Sequence, residues 1–243
     1  MAIKEIFYND KNFKISYEIV NQGKLVDIII LHGWGSNKEI MKQAFSAYLQ
    51  GFRHIYVDLP GFGNSSNDAI LDSFDYAKIL NIFLSDKKIK KDIIVGHSFG
   101  GKIATLLDPN LLVLLSSAGI VAKKPLSIKL KISLFKFLKN IGLGKFYKYF
   151  ASKDVENLSQ NMYETFKKVV NEDFITIFKK FKKDALIFWG KEDTATPLSS
   201  GKEISKLIKN SRFYVLDGDH FFFLKHSKFI SDKILEFPFK NSL

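Results

Sequence analysis

Cysteine is absent from this 243-residue chain, which excludes disulfide bridges, thiol catalysis and cysteine-based metal sites. A chain so composed suits a reducing compartment, and a cytoplasmic protein is the expectation. Long hydrophobic runs are missing too. The longest, such as Leu111 to Leu115, have strand length and fall far short of the roughly 20 residues that cross a bilayer. The opening residues, Met1-Ala2-Ile3-Lys4-Glu5-Ile6-Phe7-Tyr8, contain no apolar core of an export signal. Arginine occurs only at Arg53 and Arg212, so the net charge of +12 is almost wholly lysine. Base readout in nucleic acids favours the bidentate arginine fork, and neither a recognition helix nor zinc-ligand spacing occurs here; nucleic-acid binding is not expected. The abundance of Lys, Ile, Phe and Asn gives the charge a simpler origin, the drift of an AT-rich coding sequence.

What is present argues for a packed core. Hydrophobic residues make up 46% of the chain and 24 residues are Phe, enough apolar surface for one large domain or a domain with an insertion. Ile3 to Tyr8 and Phe13 to Ile19 alternate apolar and polar side chains around Asn9-Asp10-Lys11-Asn12, the pattern of an antiparallel hairpin. Val26 to Leu31, Ile55 to Val57, Ile93 to Val95, Leu111 to Ser116 and Ala185 to Trp189 are continuous apolar runs, as in parallel strands covered on both faces. Helical spacing over Lys38 to Leu49, Leu71 to Leu84 and the stretch after Phe99 separates the first of these runs. A helix over Ser199 to Ile208, a strand over Arg212 to Leu216 and a closing helix over Ser227 to Phe237 complete the alternation, which predicts a doubly wound, mostly parallel α/β sheet.

Between residues 119 and 181 the strand pattern stops and only helical segments are expected, at Ile128 to Ile141, Lys145 to Phe150, Val155 to Val170 and Phe174 to Phe181. This divides the chain into a core of residues 1–118 and 182–243 and an inserted helical lid of residues 119–181, set over the carboxyl edge of the sheet where α/β ligand sites lie.

The chemistry centres on Gly96-His97-Ser98-Phe99-Gly100. A buried strand running into Gly-x-Ser-x-Gly and then into a helix is a nucleophile elbow, with small neighbours that let Ser98 project from a sharp turn. A serine hydroxyl needs a base and a group to orient that base. Of the five histidines, His32 and His97 read as structural, His54 as peripheral, and His226 as part of the closing helix or its approach. His220, in the turn after the last strand, is left as the base. Asp193, a few residues past the strand Leu186 to Trp189, is the expected orienter. Asp217 and Asp219 lie too near His220 in sequence for the required geometry, and Glu192 is expected to face solvent. The oxyanion donors expected are the backbone N–H groups of Phe99 and of Trp34, in the open loop His32-Gly33-Trp34-Gly35. His32, Gly33 and Phe221 are further candidates for the substrate pocket, and no metal site is expected.

Together with Asp58-Leu59-Pro60-Gly61-Phe62-Gly63-Asn64-Ser65, these motifs resemble, in order and from end to end, the α/β-hydrolase-fold serine hydrolases. The resemblance implies an eight-stranded sheet, a helical lid, a Ser-Asp-His triad and no cofactor. Within the family the chain is most similar to small esterases, including the pimeloyl-carrier-protein methyl esterase type, and next to carbon-carbon bond hydrolases of 2-hydroxy-6-oxo-dienoates. The latter commonly carry Asn before the nucleophile, Trp after the catalytic His and a site Arg. This chain has His97 and Phe221 there, and no Arg between Arg53 and Arg212. The expected substrate is therefore a small-molecule ester or acyl compound, cut as an ester or thioester. A non-catalytic binding module on a hydrolase scaffold is a more remote reading.

From Lys123 to Lys153 every charge is positive, and the lysines interleave with Leu, Ile and Phe. A solvated lid face is the simpler account. The functional one is a cationic surface for an anionic or carrier-bound substrate.

Overall fold

The computed structural model describes residues 1–121 and 159–237. Eight strands form one sheet in the order β1-β2-β4-β3-β5-β6-β7-β8. They are β1 (Ala2–Tyr8), β2 (Lys11–Val20), β3 (Asp27–Leu31), β4 (Arg53–Val57), β5 (Ile93–His97), β6 (Leu111–Leu115), β7 (Asp184–Gly190) and β8 (Ser211–Leu216). Strands β3 to β8 are parallel; β1 and β2 pair antiparallel, and β2 joins β4 antiparallel. The first hairpin is tighter than its sequence suggests. Its turn is only Asn9-Asp10, both at positive φ (47° and 58°), because Asn and Asp tolerate the left-handed region that a two-residue turn demands.

The apolar runs are buried because both faces of the sheet are covered. Alternate residues Ile29, Leu31, Ile94, Leu112, Leu114 and Ile187 pack beneath α2 (Ser73–Asp86), α3 (Phe99–Leu106) and α6 (Leu198–Leu207). Ile28, Ile30, Val95, Val113, Leu115 and Phe188 pack against α1 (Lys38–Phe45) and α7 (Ser227–Leu235) on the other face. Helix α2 begins one residue after Asp72, whose carboxylate accepts from Asp75 N while Asp75 returns a bond to Asp72 N. That reciprocal cap moves the helix start past Leu71, where hydrophobic spacing alone had begun it.

The insertion contributes α4 (Gln160–Val170) and α5 (Ile175–Lys180) to the described structure. The expected helices at 128–141 and 145–150, and the lysine run 123–153, lie outside the described residues. Helix α4 is fastened to the core by polar bonds: Leu71 N donates to Thr165 Oγ1 at 3.0 Å, and Asn161 Nδ2 to Asn67 O at 2.9 Å. The stronger tie is a buried ion pair. Lys102, on α3 and 1% exposed, meets Glu172, donates to Val169 O at 2.7 Å and lies 4.4 Å from the centre of the Phe174 ring. Glu172 also accepts from Ser73 N and Oγ. Burial pushes the Lys102 ammonium pKa down, opposed by the Glu172 charge. Removing one partner of such a pair strands the other in low dielectric. Glu172→Ala should lower unfolding free energy by about 3 kcal/mol, and Lys102→Met by less, because Glu172 keeps its Ser73 donors and partial exposure. Equilibrium urea denaturation of both variants checks that order.

Candidate active site

All the candidate residues come from loops at the carboxyl edge of the parallel strands. Ser98 follows β5 directly and sits at φ 49°, ψ −113°. A non-glycine residue there is strained, and it persists only when its surroundings hold it. Ser98 N donates to Leu115 O and Ala118 N to Ser98 O, each at 3.0 Å, which straps the turn to β6. A Cβ on Gly96 would strike the Gly100 carbonyl, and one on Gly100 would lie 2.6 Å from His32 O. Strand, helix and the loop after β3 thus approach to backbone contact around the serine.

That loop is fixed from behind. His32 is fully buried and both ring nitrogens are engaged: Leu59 N donates to Nε2 at 3.0 Å, so Nδ1 carries the proton and donates to Gly33 O at 2.7 Å. Burial holds its pKa down at about 4. His32 is therefore not a pocket residue, contrary to the expectation; a ring with no free nitrogen and no exposed surface clamps the backbone instead. Ser36 N also donates to Gly33 O. With the Gly33 carbonyl held, the planar trans peptide directs the Trp34 N–H the opposite way. Gly33 itself abuts the nucleophile, since a Cβ there would lie 3.1 Å from Ser98 Cβ. Leu59 is presented to His32 by the Asp58 loop, where Asp58, wholly buried, accepts from Lys38 N and Nζ at 2.7 Å and from Asn64 N at 3.1 Å. No hydrogen bond among the described residues occupies the backbone N–H of Trp34 or of Phe99.

Asp193 and His220 meet across the loops after β7 and β8. His220 Nδ1 lies 2.8 Å from Asp193 Oδ2. Asp193 Oδ1 accepts from Ala195 N and Thr196 N, both at 2.9 Å, and Oδ2 also accepts from Thr196 Oγ1 at 2.9 Å. Burial alone would raise the Asp193 pKa, but bonds from His220, Ser116 and Thr196 outweigh it and bring it down to about 2. An ionised carboxylate accepts, so His220 Nδ1 carries the shared proton and Nε2 keeps its lone pair. Thr196 and Ser116 were not singled out by sequence reasoning; a Thr three residues past the acid is the only trace of this clamp in the chain.

The rivals have other duties. Glu192 is exposed, as expected, and accepts from Gly218 N at 2.6 Å, tying the two loops together. His226 Nε2 donates to Asp217 O at 2.8 Å. His54, expected at the periphery, is wholly buried between Tyr56 Oη and Leu49 O, because β4 begins at Arg53 and carries it into the core. Phe221 is 41% exposed beside His220. The Trp34 ring packs on Phe62, Phe99 and Phe166 of α4, at 4.8, 5.6 and 5.2 Å between centres.

The sheet order and this elbow define the α/β-hydrolase fold. Residues 28–107 match the family model for the alpha/beta hydrolase fold. The chain is 34% identical over 110 residues to a pimeloyl-[acyl-carrier protein] methyl ester esterase of Vibrio campbellii, a match that spans 42% of this chain and 42% of that protein. The enzyme of the same name from Wigglesworthia glossinidia brevipalpis is 29% identical over 204 residues, 79% of this chain and 70% of its own. Among solved structures, an esterase from Exiguobacterium antarcticum superposes with a TM-score of 0.74 at 23% identity, over 95% of this chain and 97% of that one; at such identity the likeness shows the fold alone. The chain has the α/β-hydrolase fold, and the proteins it resembles include esterases. No helix among the described residues is long and apolar enough to cross a membrane.

The buried histidines set a pH dependence. Burial lowers His97 to about 3 and His32 to about 4, from an ordinary 6.5, and lowers His54 as well. The unfolded chain takes up these protons below pH 6.5 while the folded chain refuses them, so their contribution is complete above pH 6.5 and is lost as pH falls toward 4 and then 3. Urea midpoints should therefore decline steadily from pH 6.5 to 4, with net proton uptake on unfolding throughout.

Proposed function

We propose that this chain is a serine hydrolase that cleaves a carboxylic ester or thioester of a small or acyl-chain substrate through an acyl-enzyme on Ser98. The observation that carries the reading is the Asp193–His220 hydrogen bond, formed at the same sheet edge as a strained serine elbow with an oxyanion loop packed against it. His220 Nε2 takes the Ser98 proton as Oγ attacks the acyl carbon. The Trp34 and Phe99 N–H groups receive the developing oxyanion. His220 then returns the proton to the leaving oxygen or sulfur, and water, deprotonated by the same nitrogen, releases the acid. Asp193 orients the ring and balances the imidazolium charge.

Residues 119–181 act in this reading as a lid, and the Phe166–Trp34 contact makes α4 part of the wall around the acyl group. Phe221 borders the other side. The names of the Vibrio and Wigglesworthia relatives support a methyl ester borne on an acyl carrier as one substrate, and an anionic carrier would suit a chain with net charge +12. The absence of cysteine fits a cytoplasmic enzyme.

A fluorophosphonate probe should label the intact protein and leave Ser98→Ala untouched; equal labelling of both would remove Ser98 as the nucleophile. Asp193→Asn should reduce kcat about 10⁴-fold, as loss of the orienter does in serine hydrolases. A series of esters graded by acyl length and terminal charge, run beside a vinylogous diketo acid, reads out the substrate class. Faster turnover of the diketo acid would transfer the assignment to carbon-carbon hydrolysis.

A further inference from the structure

His97 has no part in the chemistry above, yet its ring touches three parts of the site. It is 1% exposed and reaches the turn after β8, where Nε2 lies 2.9 Å from His220 O. A carbonyl only accepts, so Nε2 carries the His97 proton. Nδ1 is consequently a bare lone pair, buried and without a partner. It faces Gly33, where an added Cβ would stand 2.9 Å from it. The same ring lies 4.6 Å from the His220 ring, with Phe221 and Phe223 at 5.3 and 4.8 Å.

An unsatisfied buried acceptor destabilises a fold, because it gives up its bond to water and gains none. An apolar ring of similar shape would avoid that penalty. The hydrogen bond to His220 is what the imidazole supplies and such a ring would not. We propose that His97 is a positioning residue: through its Nε2–H it holds the His220 backbone, and so sets the separation of the base from the adjoining Ser98. The proposal rests on the Ser98–His220–Asp193 reading. The base sits in a turn beyond β8, after Gly218 at φ 125°, and its side chain is held at Nδ1 alone. Both contacts on the ring, from Asp193 Oδ2 and from Thr196 Oγ1 at 3.4 Å, fall on Nδ1, so the backbone position of His220 decides where Nε2 lies. The His97 bond and ring contact fix that position, from the residue joined covalently to Ser98. Because burial keeps His97 neutral, no fixed charge opposes the imidazolium that forms on His220.

The test compares His97→Phe, which keeps a ring and removes the donor, with His97→Gln, whose amide nitrogen can reach the place of Nε2. A misplacement near 1 Å lowers turnover about 10²-fold. His97→Phe should approach that loss in kcat and in fluorophosphonate labelling rate, with KM little changed and Tm equal to or above the wild type. His97→Gln should recover most of the rate. If His97→Phe is labelled as fast as a wild type that is itself labelled, the positioning role is wrong and the serine hydrolase reading survives. Equal losses in both variants together with a fall in Tm would assign the ring to packing and overturn the proposal. An unlabelled wild type would instead sink the underlying reading.

Discussion

Ser98 at φ 49° is the constraint on which the site depends. No isolated turn would keep a serine in that conformation, so its neighbourhood must be built to hold it. Gly96, Gly100 and Gly101 let β5, α3 and β6 close to distances at which a methyl group would meet backbone or Ser117. The same closeness brings the loop after β3 against the serine. One steric requirement therefore places both Ser98 and the neighbouring N–H groups.

The chain uses imidazole rings repeatedly to hold backbone. His32 donates to Gly33 O, His54 contacts Leu49 O, His97 donates to His220 O, and His226 donates to Asp217 O. Each contact fixes a carbonyl at a loop or strand end where no ladder bond is available. His220 differs: its carbonyl receives a bond, and its ring gives its Nδ1 proton to Asp193. Its partial exposure, 17% of the side chain, leaves the other nitrogen accessible, whereas His32 and His97 are sealed.

The fold was legible because a sheet covered on both faces writes continuous apolar runs, and Leu111 to Leu115 or Leu186 to Trp189 admit few other readings. Element ends were less so. Asp72's reciprocal cap and the two-residue turn at Asn9-Asp10 depend on hydrogen bonds and backbone angles, which periodicity does not carry. Asp193 and His220 could be chosen because each follows a strand that the sequence marks. The pairs that support them could not. Lys102 and Glu172 are 70 residues apart, and Lys102 reads as one more surface lysine in a chain full of them. The structural reading of His32 holds, but its place outside the pocket and the burial of His54 are not legible for a related reason: a histidine's role depends on what each ring nitrogen meets, and those partners, Leu59 N and Tyr56 Oη among them, are set by tertiary packing.

The elbow and the aromatic cluster beside it draw on different parts of the chain. Ser98, Asp193 and His220 all belong to the core, on strand ends that the sheet fixes. The aromatic wall is shared, since Trp34 and Phe62 come from core loops while Phe166 comes from α4. Helix α4 is held to the core by Thr165, Asn161 and the Lys102–Glu172 pair just past its end. Lys102 lies on α3, one turn beyond Ser98. A displacement of Phe166 thus bears on a helix fastened to the helix that begins at Ser98. The aromatic cluster around Trp34 can change with the sequence of α4 while the elbow stays as the sheet dictates.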